Sequence, residues 1–299
     1  MAVTRSVTLG IPRVAARARA KSPAAEAWRR LRRNRLAMLG AALLVVIVIV
    51  AAATPWIAPY PYEKTHLAYG PRPPSWPHLL GTDELGRDLL TRVMWGARVS
   101  LGVGILATAV SLTIGVSYGA LAGYLGGRGD RVMMRIVDIM YGLPFMFLVI
   151  ILIVLFGRNI FNLFVALGAV EWLTMARIVR GQVLSLRERE FVQAARATGG
   201  RPLRILAQHV VPNAVGPIVV YATLTVPAVM LEEAFLSFLG LGVQPPMASW
   251  GSLASEGAAN LDVRPWLIFF PGLALTVTLF SLNFLGDGLR DALDPQVSR

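Results

Sequence analysis

The chain of 299 residues contains no cysteine. That excludes disulfides, thiolate metal sites and cysteine nucleophiles. Only three histidines occur, His66, His78 and His209, too far apart in sequence to read as a metal-ligand set. Lysine is nearly absent, with Lys21 and Lys64 alone. A phosphate-cradling loop needs a glycine immediately before its lysine. Ala20 precedes Lys21 and Glu63 precedes Lys64, so the chain has no recognisable P-loop. The metalloprotease pattern H-E-x-x-H is missing too. Charged residues make up only 15% of the chain, against about 25% in soluble domains.

What fills the chain instead is apolar. Hydrophobic residues account for 55% and the mean hydropathy is +0.59. This argues for a lipid-embedded protein and against a disordered chain, a disulfide scaffold or an ordinary soluble enzyme. A spanning helix needs about 20 apolar residues to cross roughly 30 Å of hydrocarbon. Five runs approach or meet that length: 36–58, 99–125, 139–156, 210–231 and 266–285. A sixth, 160–176, is interrupted by Glu171. The expectation is an all-α membrane protein with six transmembrane helices.

The net charge of +12 has a location. With six spans both termini share one side, which collects residues 1–35, 126–135, 177–209 and 286–299. That side holds 22 of the 29 basic residues; segments 59–98, 157–159 and 240–265 hold the other 7. Arginine and lysine favour the cytoplasmic side, so both termini are expected there. Arg29, Arg30, Arg32, Arg33 and Arg35 abut the first span, which points to the membrane surface and not to nucleic acid. Ala51-Ala52-Ala53 resembles a signal-peptide cleavage site. The apolar run before it is too long and too far from the start for one, so an uncleaved span is expected.

Along the chain, residues 1–27 read as flexible and 28–35 as an amphipathic lead-in at headgroup level. The outer segment 59–98 is turn-rich at first and helical from 82. The second span carries Ala107, Ser111, Gly115, Gly119 and Gly123 at every fourth position, a stripe that lets another helix approach closely. Gly142, Pro144 and Pro227 are candidate kinks. In 177–209 a short helix is expected over 190–198. Gly199-Gly200 ends it and Pro202 opens a second helix. A loop this long with structure of its own is commonly functional.

That loop resembles the cytoplasmic signature of the integral-membrane permeases of bacterial ABC importers. Gln193-Ala194-Ala195, Gly199 and Val211-Pro212 fall at the family's spacing, with Gln193 in place of its glutamate and His209 at an apolar position. The stretch from His209 to Asn213 is similar to the ending seen in the dipeptide/oligopeptide-type subfamily. Leu80-Gly81-Thr82-Asp83-Glu84-Leu85-Gly86-Arg87-Asp88 resembles a block of its C-type permease. So do Leu236-Ser237-Phe238-Leu239-Gly240-Leu241-Gly242, Ser249-Trp250-Gly251 and the run from Gly286 to Pro295. The resemblance covers nearly the whole chain, from about Trp28 to Pro295.

The resemblance implies the type I ABC importer permease fold, with five helices from 99 to 285 as its core and a coupling-helix loop. It implies a bacterial cytoplasmic (inner) membrane location and passage of di- or oligopeptides. Implied partners are a homologous permease, two ATPase subunits and an extracytoplasmic substrate-binding protein. No cofactor is implied for this chain; ATP and Mg belong to the ATPases, and the chain itself is no enzyme. Gln193, Ala194, Ala195, Arg196, Ala197, Gly199, Arg201, Arg204, His209 and Pro212 would form the ATPase-coupling element. Some of its arginines would meet acidic groups of the ATPase or anionic lipid.

Three acids stand within or beside spans, where an ionised group costs roughly 2.5–3.5 kcal/mol on insertion scales. Glu171, Glu232 and Glu233 read either as pathway groups or as structural hydrogen-bond partners. Arg135 and Asp138 read as a local ion pair. The charged block 83–88 reads as a contact for the delivery protein, a brace for the partner permease or a structural cap. Two rival functions make demands of their own on the sequence. An ion-driven secondary transporter needs paired intramembrane ionisable groups and often internal repeats. A polytopic membrane hydrolase needs a nucleophile paired with a base.

Overall fold

The computed structural model describes residues 23–293. The expectations for residues 1–22 and for the Asp294-Pro295 end of the last block lie outside the described residues. Among the described residues the chain is helical, with one isolated bridge, Thr82 to Asp88. The main elements are α1 (Pro23–Leu31), α2 (Arg35–Ile57), α3 (Leu89–Leu125), α4 (Gly127–Tyr141), α5 (Phe145–Phe156) and α6 (Ile160–Leu186). They are followed by α7 (Glu190–Ala197), α8 (Pro202–Ile205), α9 (Val211–Phe238), α10 (Trp250–Ala258) and α11 (Trp266–Leu293). A π-helical stretch, Leu206–Val210, joins α8 to α9 without a break.

Five helices are long and apolar enough to cross a membrane, and α4 with α5 makes a sixth if that bent pair is one span. The pair breaks by 85°. Gly142 ends α4, and Pro144 cannot supply the N–H that would continue it. The expected span 139–156 is therefore two pieces, and helix begins at Gly127, ahead of the expected span. Pro227 leaves α9 continuous.

Helix lengths differ most from the sequence expectation. The outer segment becomes helical at Leu89, not at 82, because Asp88 caps Thr91 N (2.8 Å) and residues 82–88 form a tied loop. α6 runs to Leu186, so the loop expected from 177 begins ten residues later. α11 runs to Leu293 through the expected tail. α9 extends past 231 to Phe238, which moves Glu232 and Glu233 from the expected helix end to its interior. α10 was not anticipated; Ser249 caps it through a reciprocal pair with Ser252.

Small residues set the packing. All five members of the α3 stripe are buried. A Cβ on Gly115 would lie 2.6 Å from the Met175 Cβ, and one on Gly123 would lie 2.9 Å from the Arg180 carbonyl oxygen. From α6, a Cβ on Gly168 would lie 2.6 Å from the Ala107 carbonyl oxygen. The register rises together along both helices, so α3 and α6 run parallel. Gly104 against Met230, with Ala120 clustered with Ala214 and Ile218, places α9 antiparallel to α3, and Gly40 against Ser281 with Gly288 against Ala37 places α11 antiparallel to α2. The ends at Arg35, Leu125, Leu186, Pro202 and Leu293 thus share one side of the bundle.

Pro55 inside α2 leaves the Ala51 carbonyl without its helical donor. Arg98 of α3 fills that gap, donating from Nη1 to Ala51 O at 3.0 Å and Ala52 O at 3.2 Å. Leu31, Ala37 and Ala292 bury α1 against the end of α11.

Candidate functional site

The segment 187–210 projects from the side where α3, α6 and α11 end. α7 is only eight residues long, too short to persist alone in water. Val192 holds it: its side chain is 0% exposed and packs with Val179, Val183, Ile205, Leu206 and Val210. The helix closes with paired backbone bonds, Gly199 N to Arg196 O at 3.0 Å and Gly200 N to Ala195 O at 3.1 Å. This is a Schellman ending, which requires a left-handed residue after the cap. Gly199 supplies it with φ +79°.

The other face is open. Gln193, Ala194, Arg196, Ala197, Gly199, Arg201, Arg204, His209 and Pro212 are exposed, and Ala195 is half-buried. Arg196 lies 5.4 Å from the Tyr124 ring centre, and Arg204 Nε donates to Gln208 Oε1 at 3.0 Å. The His209 carbonyl accepts from Asn213 Nδ2 at 2.6 Å. Pro202 does open a helix, but that helix runs on into α9, so the bend joins one short helix to a span. Sequence reasoning passed over Val192 and the two exposed apolar side chains that flank the turn, Phe191 (42%) and Leu203 (71%). Phe191 and Val192 are adjacent apolar residues, and only packing decides which one turns inward.

A second constellation lies between α4, α6 and α9. Glu171 and Glu232 face each other across α6 and α9. The Tyr141 hydroxyl bonds the Thr174 hydroxyl. Arg177 stacks 3.9 Å over the Tyr141 ring and pairs with Asp138 at 2.7 Å. The expected Arg135–Asp138 pair is replaced by this one, because α6 continues past Ala176 and brings Arg177 to Asp138. Glu233 is separate. It is 1% exposed, and its Oε1 accepts from Ser249 Oγ at 2.6 Å and Ser237 Oγ at 2.8 Å. It ties α9 to the start of α10.

At the opposite end, the charged block 83–88 is knotted into its own chain. Asp83 Oδ1 accepts from Leu85 N and Arg87 N, each at 2.9 Å, and Oδ2 accepts from Arg87 Nε at 2.6 Å. Arg92, 1% exposed, bridges Asp83 Oδ2 and Glu256 Oε2, each at 2.7 Å. Glu84 pairs with Arg264. Arg92→Met is expected to cost about 1.5–3 kcal/mol, since it removes the charge-assisted hydrogen bonds that tie Asp83 to Glu256 while Arg87 still pairs with Asp83. The loss should appear as a lower unfolding temperature of the purified protein.

Residues 115–119, Gly-Val-Ser-Tyr-Gly, match G-x-S-x-G. Ser117 nonetheless sits within continuous α3 and donates to Thr113 O at 2.7 Å. A nucleophile elbow needs a strand-to-helix turn, so this match carries no hydrolase chemistry. Among the described residues no group of three potential metal ligands exists.

Comparison with known proteins extends the picture. The family model described as "binding-protein-dependent transport system inner membrane component" matches residues 114–299. A model for the N-terminal transmembrane domain of oligopeptide transport permease C matches residues 22–74. The chain is 50% identical over 273 residues to the oligopeptide transport system permease protein of Haemophilus influenzae, covering 91% of this chain and 88% of that one. It is 47% identical over 275 residues to the dipeptide transport system permease protein of Bacillus subtilis, covering 92% and 86%. Among solved structures, a methionine ABC transporter in inward-facing conformations aligns with a TM-score of 0.57 at 19% identity. That alignment covers 69% of this chain and 98% of the other, and speaks to fold alone.

Proposed function

The chain belongs to the binding-protein-dependent transport system inner membrane components, bacterial multi-pass permeases, and on that premise we propose that it is one of two permease subunits of an ATP-driven peptide importer. The observation that carries the proposal is α7. It is an exposed helix anchored by one buried valine and a left-handed glycine, set between the ends of two spanning helices. Such an element transmits force only if something grips it. We assign that grip to an ATPase subunit, with Phe191 and Leu203 as apolar anchors and Arg196, Arg201 and Arg204 as partners for its acidic groups. Val192 then couples movement of α7 to α6 and α9, whose rocking would open a path between this chain and a homologous permease.

We assign ATP and Mg to the ATPases, a reading supported by the lack of a recognisable P-loop in this chain. We place the side bearing α7 in the cytoplasm, which the bias of basic residues supports, and a binding protein on the other side as the source of cargo. Peptide is the cargo named for the relatives at 50% and 47% identity. The Glu171–Glu232 pair and Tyr141 suit a path that passes an ammonium group.

The test is reconstitution of the chain with a homologous permease, ATPases and a binding protein from the same organism. ATP-dependent uptake of labelled di- or oligopeptide into vesicles is expected. Glu171→Gln should slow uptake per complex about tenfold, the equivalent of ~1.4 kcal/mol of barrier, without lowering complex yield. Uptake driven by an ion gradient without ATP would refute the assignment.

A further inference from the structure

The α4 helix presents a row of arginines and a row of apolar side chains that neither the coupling loop nor the Glu171 constellation uses. Its 15 residues divide around the axis into three faces. Asp130, Met134 and Val137 are buried, Asp130 against Arg180 at 2.5 Å and the other two in the main apolar core. Arg128, Arg131 and Arg135 follow each other at helical spacing on the exposed side. Beside them runs an exposed apolar row, Val132 (63%), Ile136 (49%) and Ile139 (64%).

The nearby carboxylates are already taken. Arg180 holds Asp130 and Arg177 holds Asp138. Among the described residues, Arg128, Arg131 and Arg135 have no ion-pair partner within 4.0 Å. They line an open groove of about 650 Å³ together with Arg180 and Asp138. The helix starts directly after the end of α3 at Leu125 and turns 85° from α5.

We propose that this face of α4 holds an anionic phospholipid, the arginines on its headgroup phosphate and the Val132–Ile136–Ile139 row against its acyl chain. A helix at a bilayer surface carries this pattern, a cationic row beside an apolar one. A free phosphate would engage the arginines and leave the apolar row in water. A protein partner covering the apolar row would still owe carboxylates to three guanidiniums. One anionic lipid answers both faces. The inference requires only that the chain sits in a bilayer, so its failure leaves the coupling role of α7 untouched.

Native mass spectrometry of the purified full complex, incubated with equal phosphatidylglycerol and phosphatidylcholine, tests it. Phosphatidylglycerol adducts should dominate. Each arginine near an anionic surface favours binding about fivefold, so R128Q/R131Q/R135Q should lose these adducts by about tenfold or more. Phosphatidylcholine adducts should not change, and the triple lysine variant should keep most of the preference. A photo-crosslinking residue at Ile136 in the otherwise unaltered chain should capture lipid, which covers the case where the triple variant fails to assemble. Equal adducts of both lipids, an unaffected triple variant, displacement by inorganic phosphate, or cross-linking to protein would each overturn the proposal.

Discussion

Val192→Asp is expected to abolish ATP-driven uptake while leaving the spanning helices inserted. Val192 is the one fully buried residue of α7. A carboxylate there would have to enter an apolar cluster of Val179, Val183, Ile205, Leu206 and Val210. Burying it unpaired costs several kcal/mol. An eight-residue helix has no stability of its own to oppose that. α7 would leave its seat, and any force applied to it would no longer reach α6 and α9. In reconstituted vesicles, uptake should fall to background while the amount of membrane-integrated chain stays near normal.

Two companion substitutions rank the effect. Gly199→Val forces a β-branched residue to φ +79°, a strain of at least about 1–2 kcal/mol. A Cβ there meets nothing within 4 Å, so the loss should be partial. Gln193→Ala changes an exposed side chain and should not unseat the helix. If Val192→Asp keeps uptake at the level of Gln193→Ala, α7 is not a mechanical link.

Gly119→Leu is expected to have the largest effect on stability. A Cβ on Gly119 would overlap the carbonyl oxygen of Ala176, a backbone atom that no rotamer change can move. α3 and α6 would have to separate along their shared stripe, breaking the fits at Gly115, Gly123 and Gly168 as well. Overpacking in ordinary cores costs about 1–3 kcal/mol. Here the obstacle is backbone, so the cost should exceed that range. Folded, monodisperse protein after detergent extraction should be nearly absent. Gly102→Leu is the control on the same helix, since its Cβ meets nothing within 4 Å, and it should give normal yield. Equal yields from the two variants would mean that α3 and α6 do not pack through this stripe.

Much of this was legible in the residues. Apolar runs placed the spans, the four-residue stripe named the tight face of α3, and Gly199-Gly200-Pro202 marked the turn after α7. These signals are local: a run, a period, or a backbone conformation that glycine alone adopts cheaply. The helix ends were not legible, because Arg180, Glu233 and the residues after Ala176 read as places where an apolar run stops. Arg180 stays in its helix because a distant carboxylate, Asp130, neutralises it. Glu233 stays because Ser237 and Ser249 donate to it.

The amino-acid order alone therefore determined that the chain is built of long apolar helices suited to lipid, where most of them lie, and that no P-loop pattern occurs in it. Composition and period settle those matters without reference to any neighbour. Tertiary structure decided which of Phe191 and Val192 anchors α7, which acids face one another, and that α4 breaks away from α5. Each of those outcomes depends on what another helix brings within a few ångströms, and no local pattern records that distance.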